Sequence, residues 1–257
     1  MMKKIAICGK GGSGKSTIVV LLANGLRDRG YRVLVVDSDE SNPGIYRMLG
    51  LEKRPEPLLG LVGGKKKVFQ AFSESSESSK SVLMQEKIRT SDLPSQYIVE
   101  RDRIRLVCIG KILQSLEGCA CPMGVLNREF LKRLSLEEDE VALVDMEAGI
   151  EHFGRGVETS VDSVLAVTEP SFDSLELAEK ISTLAAEAGM KSAWAILNKV
   201  PSEEIALRLR EELERKGIPI IGFIGYDSEV FLAGLEGRPI RSDEVERDIG
   251  SVLDRLL

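Results

Sequence analysis

Short apolar segments alternate with longer amphipathic segments along this 257-residue chain, and this alternation constrains its fold more than any other feature. The apolar runs predict strands at Lys4–Cys8, Arg32–Val36, Ile104–Ile109, Val141–Val144, Val164–Val167, Ala193–Leu197 and Ile218–Ile224. Helical patterns occupy Lys15–Arg29, Pro122–Leu134, Leu175–Ala188, Glu203–Lys216 and Asp243–Leu257. Continuous apolar strands that alternate with helices are typical of parallel sheets covered on both faces. We therefore predict an α/β fold with a single doubly wound, mostly parallel sheet and helices on both faces.

One segment, residues 51–102, departs from this alternation. It contains the triple lysine Lys65–Lys67 and the stretch Ser73–Ser81, in which six of nine residues are serine. Such composition predicts a solvated, flexible insertion, and a partner-docking flap is the alternative. Because no proline-rich linker or internal repeat divides the chain, we expect one domain over residues 1–257 with a variable insertion at about 51–102.

Composition and charge exclude several functions. With 43% hydrophobic residues, the chain can bury a sizeable core and is not disordered, and its formal net charge of −6 disfavours bulk attraction to nucleic acid or acidic lipid. The longest apolar candidate for a membrane span, Ile18–Ala23, stops at Asn24, and Lys10 interrupts any signal-peptide pattern. We expect a cytoplasmic protein with no nucleic-acid or membrane partner.

The glycine-rich segment after the first predicted strand matches the phosphate-loop pattern G-x-x-x-x-G-K-[ST]. It reads Gly9, Lys10, Gly11, Gly12, Ser13, Gly14, Lys15 and Ser16. Glycines let backbone N–H groups converge on phosphate oxygens, and the following helix directs its positive end at the same anion. We expect Lys15 to reach the β- and γ-phosphates, Ser16 to ligate Mg²⁺ and Thr17 to donate to the α-phosphate.

Carboxylates end two of the predicted strands. Asp37 and Asp39 follow Arg32–Val36, and Asp145 follows Val141–Val144. Ligands of open α/β sheets bind at this edge, so these residues are candidates for the nucleotide and magnesium site. Capping of the next turn is the alternative for each carboxylate taken alone.

Lys10, a second lysine inside the loop, gives the chain its resemblance to the deviant Walker A ATPases, the family of the nitrogenase iron protein, MinD and ParA. The resemblance implies that Lys10 reaches the partner subunit's nucleotide across a dimer; a lysine that contacts its own loop is the alternative. It also implies that Asp39, 24 residues beyond Lys15, positions and activates the attacking water, and that Asp145 holds Mg²⁺ through a water molecule. Asp37 would support Mg²⁺ directly or through the groups that surround the ion.

Two further residues acquire roles from this resemblance. Gly149, in the run Asp145–Gly149, would sense the γ-phosphate through its N–H, and Asn198 would bind the adenine edge. A guanine-specific site would place aspartate where Pro201 stands, so ATP is favoured over GTP.

Two motifs resemble more narrowly the CooC-type maturation factors of carbon monoxide dehydrogenase. They span Gly118–Pro122 and Asp145–Gly156, and the resemblance covers nearly the whole chain except the less certain segment 51–102. It implies an ATP-hydrolysing homodimer that helps insert nickel into that client enzyme. At Ser13, Ser38 and Glu40 the sequence differs in a minor way from the small or proline residues that are usual in this group.

Cys119 and Cys121 are candidate metal ligands. An intrachain disulfide across one residue is strained, and two thiolates leave a tetrahedral ion half-coordinated. A twofold-related second pair would complete a four-cysteine site for Zn²⁺ or Ni²⁺; a pair of unliganded thiols is the alternative. We interpret Cys8 and Cys108 as buried residues that behave like apolar side chains. For His152 we favour a structural or contact role over the alternative of a metal ligand.

Two other functions compete with this interpretation. A MinD- or ParA-like positioning or partition ATPase would need a basic helix or surface, but the segment Asp243–Leu257 has a mostly acidic polar face. An iron–sulfur carrier ATPase would bridge subunits through widely spaced cysteines, unlike the close pair in this sequence.

Overall fold

The computed structural model describes residues 3–39, 42, 44–72, 81–110, 121–150, 153, 156–190 and 192–257. Within these residues eight strands form one sheet in the order β3-β4-β2-β5-β1-β6-β7-β8. The strands are β1 (Lys4–Gly9), β2 (Arg32–Asp37), β3 (Ile98–Arg101), β4 (Ile104–Cys108), β5 (Glu140–Asp145), β6 (Ser163–Thr168), β7 (Ala193–Val200) and β8 (Ile220–Gly225). Every neighbouring pair is parallel except β3 and β4. The predicted fold class is confirmed.

Helices connect the strands, as crossovers between parallel strands require. They are α1 (Lys15–Asp28), α2 (Ile45–Met48), α3 (Lys65–Ala71), α4 (Cys121–Arg133), α5 (Phe172–Glu187), α6 (Glu203–Arg215), α7 (Ser228–Glu236) and α8 (Asp243–Leu256). Short 3₁₀ turns lie at Leu58–Val62, Val82–Met84, Thr90–Asp92 and Val157–Ser160. The five predicted helices are present within a few residues of their predicted ends.

Both faces of the sheet are buried, which explains the continuous apolar strands. Along β1, Ile5 and Ile7 pack into one core cluster, while Ala6 and Cys8 pack into the cluster on the opposite face. This division follows from the two-residue period of a strand. Burial of Cys8 and Cys108 agrees with their interpretation as apolar core residues.

Four of these strands and helices were not predicted from the sequence: the strand β3 and the helices α2, α3 and α7. β3 is a four-residue edge strand with two exposed residues, and it pairs antiparallel with β4 through a tight turn at Asp102 and Arg103, which both have positive φ. α7 has one buried residue, Ala233, and exposes Phe231 and Leu235, so it lacks the buried stripe that identifies a helix.

The described part of segment 51–102 contributes to the core. Leu58, Val68, Leu83 and Ile88 are each at most 1% exposed and belong to one core cluster. Residues 73–80, most of the serine-rich stretch, lie outside the described residues, so the flexible insertion stays a prediction.

The last helix, α8, packs against its own domain as predicted. Its apolar stripe is buried against α1 and β8, and it consists of Val245, Ile249, Val252 and Leu256. In the described residues, no helix is both long enough and apolar enough to cross a membrane.

The sheet topology sets where a ligand can bind. β1 lies in the middle, with β5 and β2 on one side and β6 and β7 on the other, so the chain changes direction across the sheet at β1. A crevice opens at the carboxyl ends of strands at such a switch point. The residues that follow these strands therefore converge there.

Candidate functional site

The glycine-rich loop leaves β1 and starts α1 with backbone angles that only glycine adopts readily. Gly9, Gly12 and Gly14 have φ of 144°, 80° and 96°. A Cβ at Gly9 would lie 2.5 Å from the Val167 carbonyl oxygen, and one at Gly14 would lie 2.3 Å from Asn198 Nδ2. Glycine at these two positions is therefore required both by the turn and by close neighbours. The loop delivers its N–H groups to the N-terminus of α1, which favours a bound anion.

The two lysines of the loop have different surroundings. Lys15 is 6% exposed, and its Nζ donates to the Lys10 carbonyl oxygen at 3.2 Å, which places its ammonium inside the loop. The Lys10 side chain is 37% exposed, and its Nζ lies 3.4 Å from Asp173 Oδ2 and 3.8 Å from Glu169 Oε1. Lys10 thus contacts carboxylates of its own chain at the rim of the site.

The proposed magnesium ligands lie together. Ser16 Oγ donates to Asp145 Oδ2 at 2.6 Å and accepts from Asn42 Nδ2 at 2.7 Å. Asp37 and Asp145 are fully buried and occupy paired positions on β2 and β5. Asp145 Oδ1 is buried and has no hydrogen-bond partner within the described residues. A hydroxyl beside two buried carboxylates, one with an unused oxygen, fits a hard cation such as Mg²⁺.

Burial perturbs the titration of Asp145. Removal of its carboxyl from water raises its pKa from 3.8 to about 7, and the negative charge of Asp37 acts in the same direction. The hydrogen bond from Ser16 and the charge of Lys15 oppose the shift. The site therefore binds positive charge more readily as the pH rises through neutrality.

This shift predicts a pH-dependent stability of the protein without magnesium. Between about pH 4 and pH 7 the folded chain keeps a proton on Asp145 that the unfolded chain has released, so raising the pH lowers the free energy of unfolding by roughly 2–4 kcal/mol. Asp145→Asn should remove this loss and be the more stable protein at pH 8. Urea unfolding at several pH values measures both effects.

Asp139→Asn is the control for this measurement. A hydrogen bond from Arg32 lowers the pKa of exposed Asp139 to about 2, so this group titrates below the window. The control should keep the wild-type slope between about pH 4 and 7. Equal slopes in the wild type and in Asp145→Asn would contradict the raised pKa of Asp145.

The segments that contain Asp39 and Gly149 flank the loop. Asp39 is half-buried and follows Ser38, whose Oγ donates to the Asp145 carbonyl oxygen at 2.7 Å. The Gly149 N–H, predicted to sense the γ-phosphate, donates to the Gly9 carbonyl oxygen at 3.2 Å. Both segments are thus tied to the backbone beside the loop, close to where a γ-phosphate would lie.

A cavity of about 280 Å³ adjoins the loop on its other side. Its lining combines α1, the end of β7 with Asn198 and Lys199, the end of β8, α7 and one residue of α8. Asn198 lies in this lining, and its Nδ2 donates to the Ser13 carbonyl oxygen at 2.8 Å. Thr17, which follows the loop, also lines the cavity, so the cavity is continuous with the loop. The cavity is therefore placed to hold a flat base.

The predicted cysteine site is only partly within the described residues. Cys121 is the first residue of α4 and is disulfide-bonded in the structure, whereas Cys119 and His152 lie outside the described residues. No group of three or more histidine, cysteine or acidic side chains suited to a metal occurs in the part of the chain that the structure describes.

Four site residues escaped sequence reasoning. Asn42 contacts Ser16, Lys199 donates to the Gly12 carbonyl oxygen, and Glu169 and Asp173 contact Lys10. Lys199 had a signal, since it directly follows Asn198 at a strand end. Asn42 and Glu169 come from loops, and Asp173 lies in the first turn of α5, where acidic residues are common, so none of the three stands out in the sequence.

Comparison with known proteins gives a consistent result. The family model for the CobQ/CobB/MinD/ParA nucleotide binding domain matches residues 4–240. An uncharacterized ATP-binding protein of Methanocaldococcus jannaschii is 41% identical over 253 residues, 98% of this chain and 100% of that protein. The carbon monoxide dehydrogenase accessory protein CooC of Rhodospirillum rubrum is 32% identical over 259 residues, covering 98% and 97%.

Solved structures share the fold. The septum site-determining protein MinD of Pyrococcus horikoshii, complexed with Mg-ADP, aligns with a TM-score of 0.73 at 17% identity. The alignment covers 100% of this chain and 96% of that one.

Proposed function

This chain belongs to the CobQ/CobB/MinD/ParA family of P-loop ATPases, and we propose that it is a dimeric metallochaperone that uses ATP hydrolysis to help insert nickel into carbon monoxide dehydrogenase. The full-length similarity to the carbon monoxide dehydrogenase accessory protein of Rhodospirillum rubrum supports the client. The nickel cargo rests on the resemblance of Gly118–Pro122 and Asp145–Gly156 to the CooC-type maturation factors. The geometry of the loop, the buried carboxylates and the adjoining cavity supports the ATPase activity itself.

The preference for ATP over GTP rests on Asn198. Because its Nδ2 is engaged by the Ser13 carbonyl, its amide oxygen is left to accept a hydrogen bond. Adenine presents an amino group at the position where guanine presents a carbonyl, so an acceptor there favours adenine. The bound base would occupy the cavity that Asn198 lines.

Each residue of the site has a distinct task in hydrolysis. The loop N–H groups, the N-terminus of α1 and Lys15 bind and orient the phosphates. Ser16, Asp145 and Asp37 would hold Mg²⁺, which neutralises charge on the phosphate oxygens. Asp39, the least enclosed of the strand-end carboxylates, positions the attacking water and accepts its proton.

Lys10 supports the proposal that the active form is a homodimer. Its ammonium lies at the exposed rim and contacts Asp173 and Glu169, so it is accessible to a second subunit. In a face-to-face dimer it would meet the charge that develops on the partner's γ-phosphate. Sedimentation with and without ATP tests this proposal; an unchanged mass over a wide concentration range would contradict it.

The cargo site is proposed at the twofold axis. Cys119 and Cys121 of each subunit, in their reduced form, would supply four thiolates to one Ni²⁺ or Zn²⁺ ion. The pair leads directly into α4, whose first residue is Cys121, so a rigid helix would fix its position. ATP-dependent closure of the dimer would act on this site because both share one axis.

Metal titration of the reduced protein tests the shared site. We expect one metal per two chains, and the double variant Cys119→Ala with Cys121→Ala should lose both the metal and the metal-induced dimer. Cys8→Ala, a buried cysteine on β1, is the matched control and should keep both. One metal per monomer that persists in a dimer-blocked variant would contradict the shared site.

The client is tested by activation. Nickel-deficient carbon monoxide dehydrogenase should gain activity from Ni²⁺ in the presence of this protein and ATP, and Lys15→Ala should not support the gain. If the activity of carbon monoxide dehydrogenase rose no more than with Ni²⁺ alone, that enzyme would not be the client, and the proposed function would be contradicted.

A positioning ATPase of the MinD type is the second candidate, because solved MinD structures share the fold. Against it, α8 buries its apolar stripe, and its first turn is acidic. Sedimentation with anionic phospholipid vesicles and ATP distinguishes the two: ATP-dependent membrane binding would favour positioning. An iron–sulfur carrier would instead show a cluster absorbance after anaerobic reconstitution.

A further inference from the structure

Two neighbouring residues at the end of β7 contact the phosphate loop on consecutive carbonyl oxygens. Asn198 Nδ2 donates to Ser13 O, and Lys199 Nζ donates to Gly12 O. Successive residues of a regular strand point to opposite faces, so a regular β7 would direct only one of them at the loop. The backbone must therefore be irregular here.

That irregularity is visible in the backbone. Lys199 has φ of 57°, and the pairing of β7 with β8 shifts register between Leu197 and Val200. A left-handed backbone conformation is unfavourable in free energy for any residue that has a Cβ. Bulges next to active sites commonly redirect a side chain. The bulge is what brings Lys199 to the same side as Asn198.

The contact has a chemical consequence for the loop. A loop that binds phosphate through its N–H groups has to turn the intervening carbonyl oxygens away from the anion. Within the loop, Ser13 N–H donates to Lys10 O at 3.2 Å, while Gly12 O and Ser13 O take their donors from β7. Glu169 Oε2 lies 3.5 Å from Lys199 Nζ and orients the ammonium toward the loop.

We propose that Lys199 is a positioning residue that holds the Gly12 carbonyl away from the bound phosphates, and that the bulge in β7 places it there. Lys199 also lines the cavity in which Asn198 would recognise the base, so the experiment has to separate support of the loop from contact with the base. The proposal concerns the nucleotide site alone and is independent of the metal and of the client enzyme.

The exposure of Lys199 determines how much the loss of its ammonium should weaken nucleotide binding. Hydrogen bonds from a charged donor contribute more than neutral ones, but the Lys199 side chain is 45% exposed and solvent screens it. Loss of the ammonium should weaken the binding of MgADP about tenfold.

The experiment measures by calorimetry the dissociation constants of MgADP and of magnesium pyrophosphate, which has no base, together with the melting temperature of each variant. Lys199→Ala and Lys199→Gly should both bind MgADP and magnesium pyrophosphate about tenfold more weakly, since both lack the ammonium. Weaker binding of MgADP alone would mean that Lys199 acts on the base and would overturn the proposal. Lys199→Gly should melt at the higher temperature of the two, because glycine adopts positive φ without strain. Lys199→Arg should restore most of the affinity.

Arg103→Gly is the matched control. Arg103 also has positive φ, 66°, and also donates to a backbone carbonyl, that of Gly30, but it lies in the β3–β4 turn. This variant should bind MgADP like the wild type. Wild-type affinity in Lys199→Gly, or affinities that simply follow melting temperature across all variants, would overturn the proposal.

Discussion

Lys10→Ala is expected to lower kcat for ATP hydrolysis about 1,000-fold while the monomer still binds MgADP with nearly wild-type affinity. The physical reason is that charge develops on the γ-phosphate only in the transition state, where the proposed cation from the second subunit would act. Binding of the diphosphate is expected to depend instead on the loop N–H groups and on Lys15, whose ammonium lies inside the loop, and this change leaves them in place. Steady-state hydrolysis and calorimetry with MgADP measure the two quantities.

Mixing two inactive variants separates action across the dimer from action within one subunit. In a heterodimer of Lys10→Ala with Asp39→Ala, one site keeps its own Asp39 and receives the partner's Lys10, while the other site lacks both. Random mixing should therefore restore about a quarter of the wild-type rate, because half of the dimers then hold one complete site. No restoration would show that Lys10 acts within its own subunit.

Asp173→Ala is the control for the environment of Lys10. It removes the nearer carboxylate that contacts Lys10 in its own subunit, at 3.4 Å, without touching the ammonium. Turnover should be retained, since the cation proposed to act on the partner is still present. A loss of turnover as large as that in Lys10→Ala would mean that the ion pair itself, within one subunit, is what hydrolysis requires.

Asp39→Ala should lower kcat by roughly 100- to 10,000-fold and leave ATP binding intact. Asp39 is the proposed base for the attacking water, whereas other groups are proposed to hold the phosphates and Mg²⁺, among them Asp145 and Ser16, which hydrogen-bond to each other. Uncleaved ATP should therefore accumulate on a dimer that dissociates slowly. Single-turnover hydrolysis with chromatography of the bound nucleotide measures both results.

Lys15→Ala provides the contrast for Asp39→Ala. Its buried ammonium lies inside the loop, so its loss should abolish tight binding of ATP and with it the dimer. If Asp39→Ala likewise failed to bind ATP, its carboxylate would belong to the binding site, and the assignment as base would be wrong. Asp39→Asn, which keeps the shape without a basic oxygen, should resemble Asp39→Ala in turnover.

The local elements could be predicted because their causes are local. Apolar alternation along β1 and glycines at positive φ after it produce a strand, a phosphate loop and a helix with little help from distant residues. Asp37 and Asp145 could be placed at one edge because parallel strands share their carboxyl ends. The edge strand β3 and the exposed helix α7 could not, since neither has a buried stripe.

The sequence by itself therefore determined the fold class, the phosphate loop and the carboxylates that face it. Only the tertiary structure decided which side chains complete the site, because those contacts join residues far apart in the chain. Ser16 meets Asp145 across 129 positions, and Lys199 meets Gly12 across 187. The contact of Lys199 also depends on a bulge between β7 and β8, and the pairing of two strands, unlike the period of one, is a long-range property.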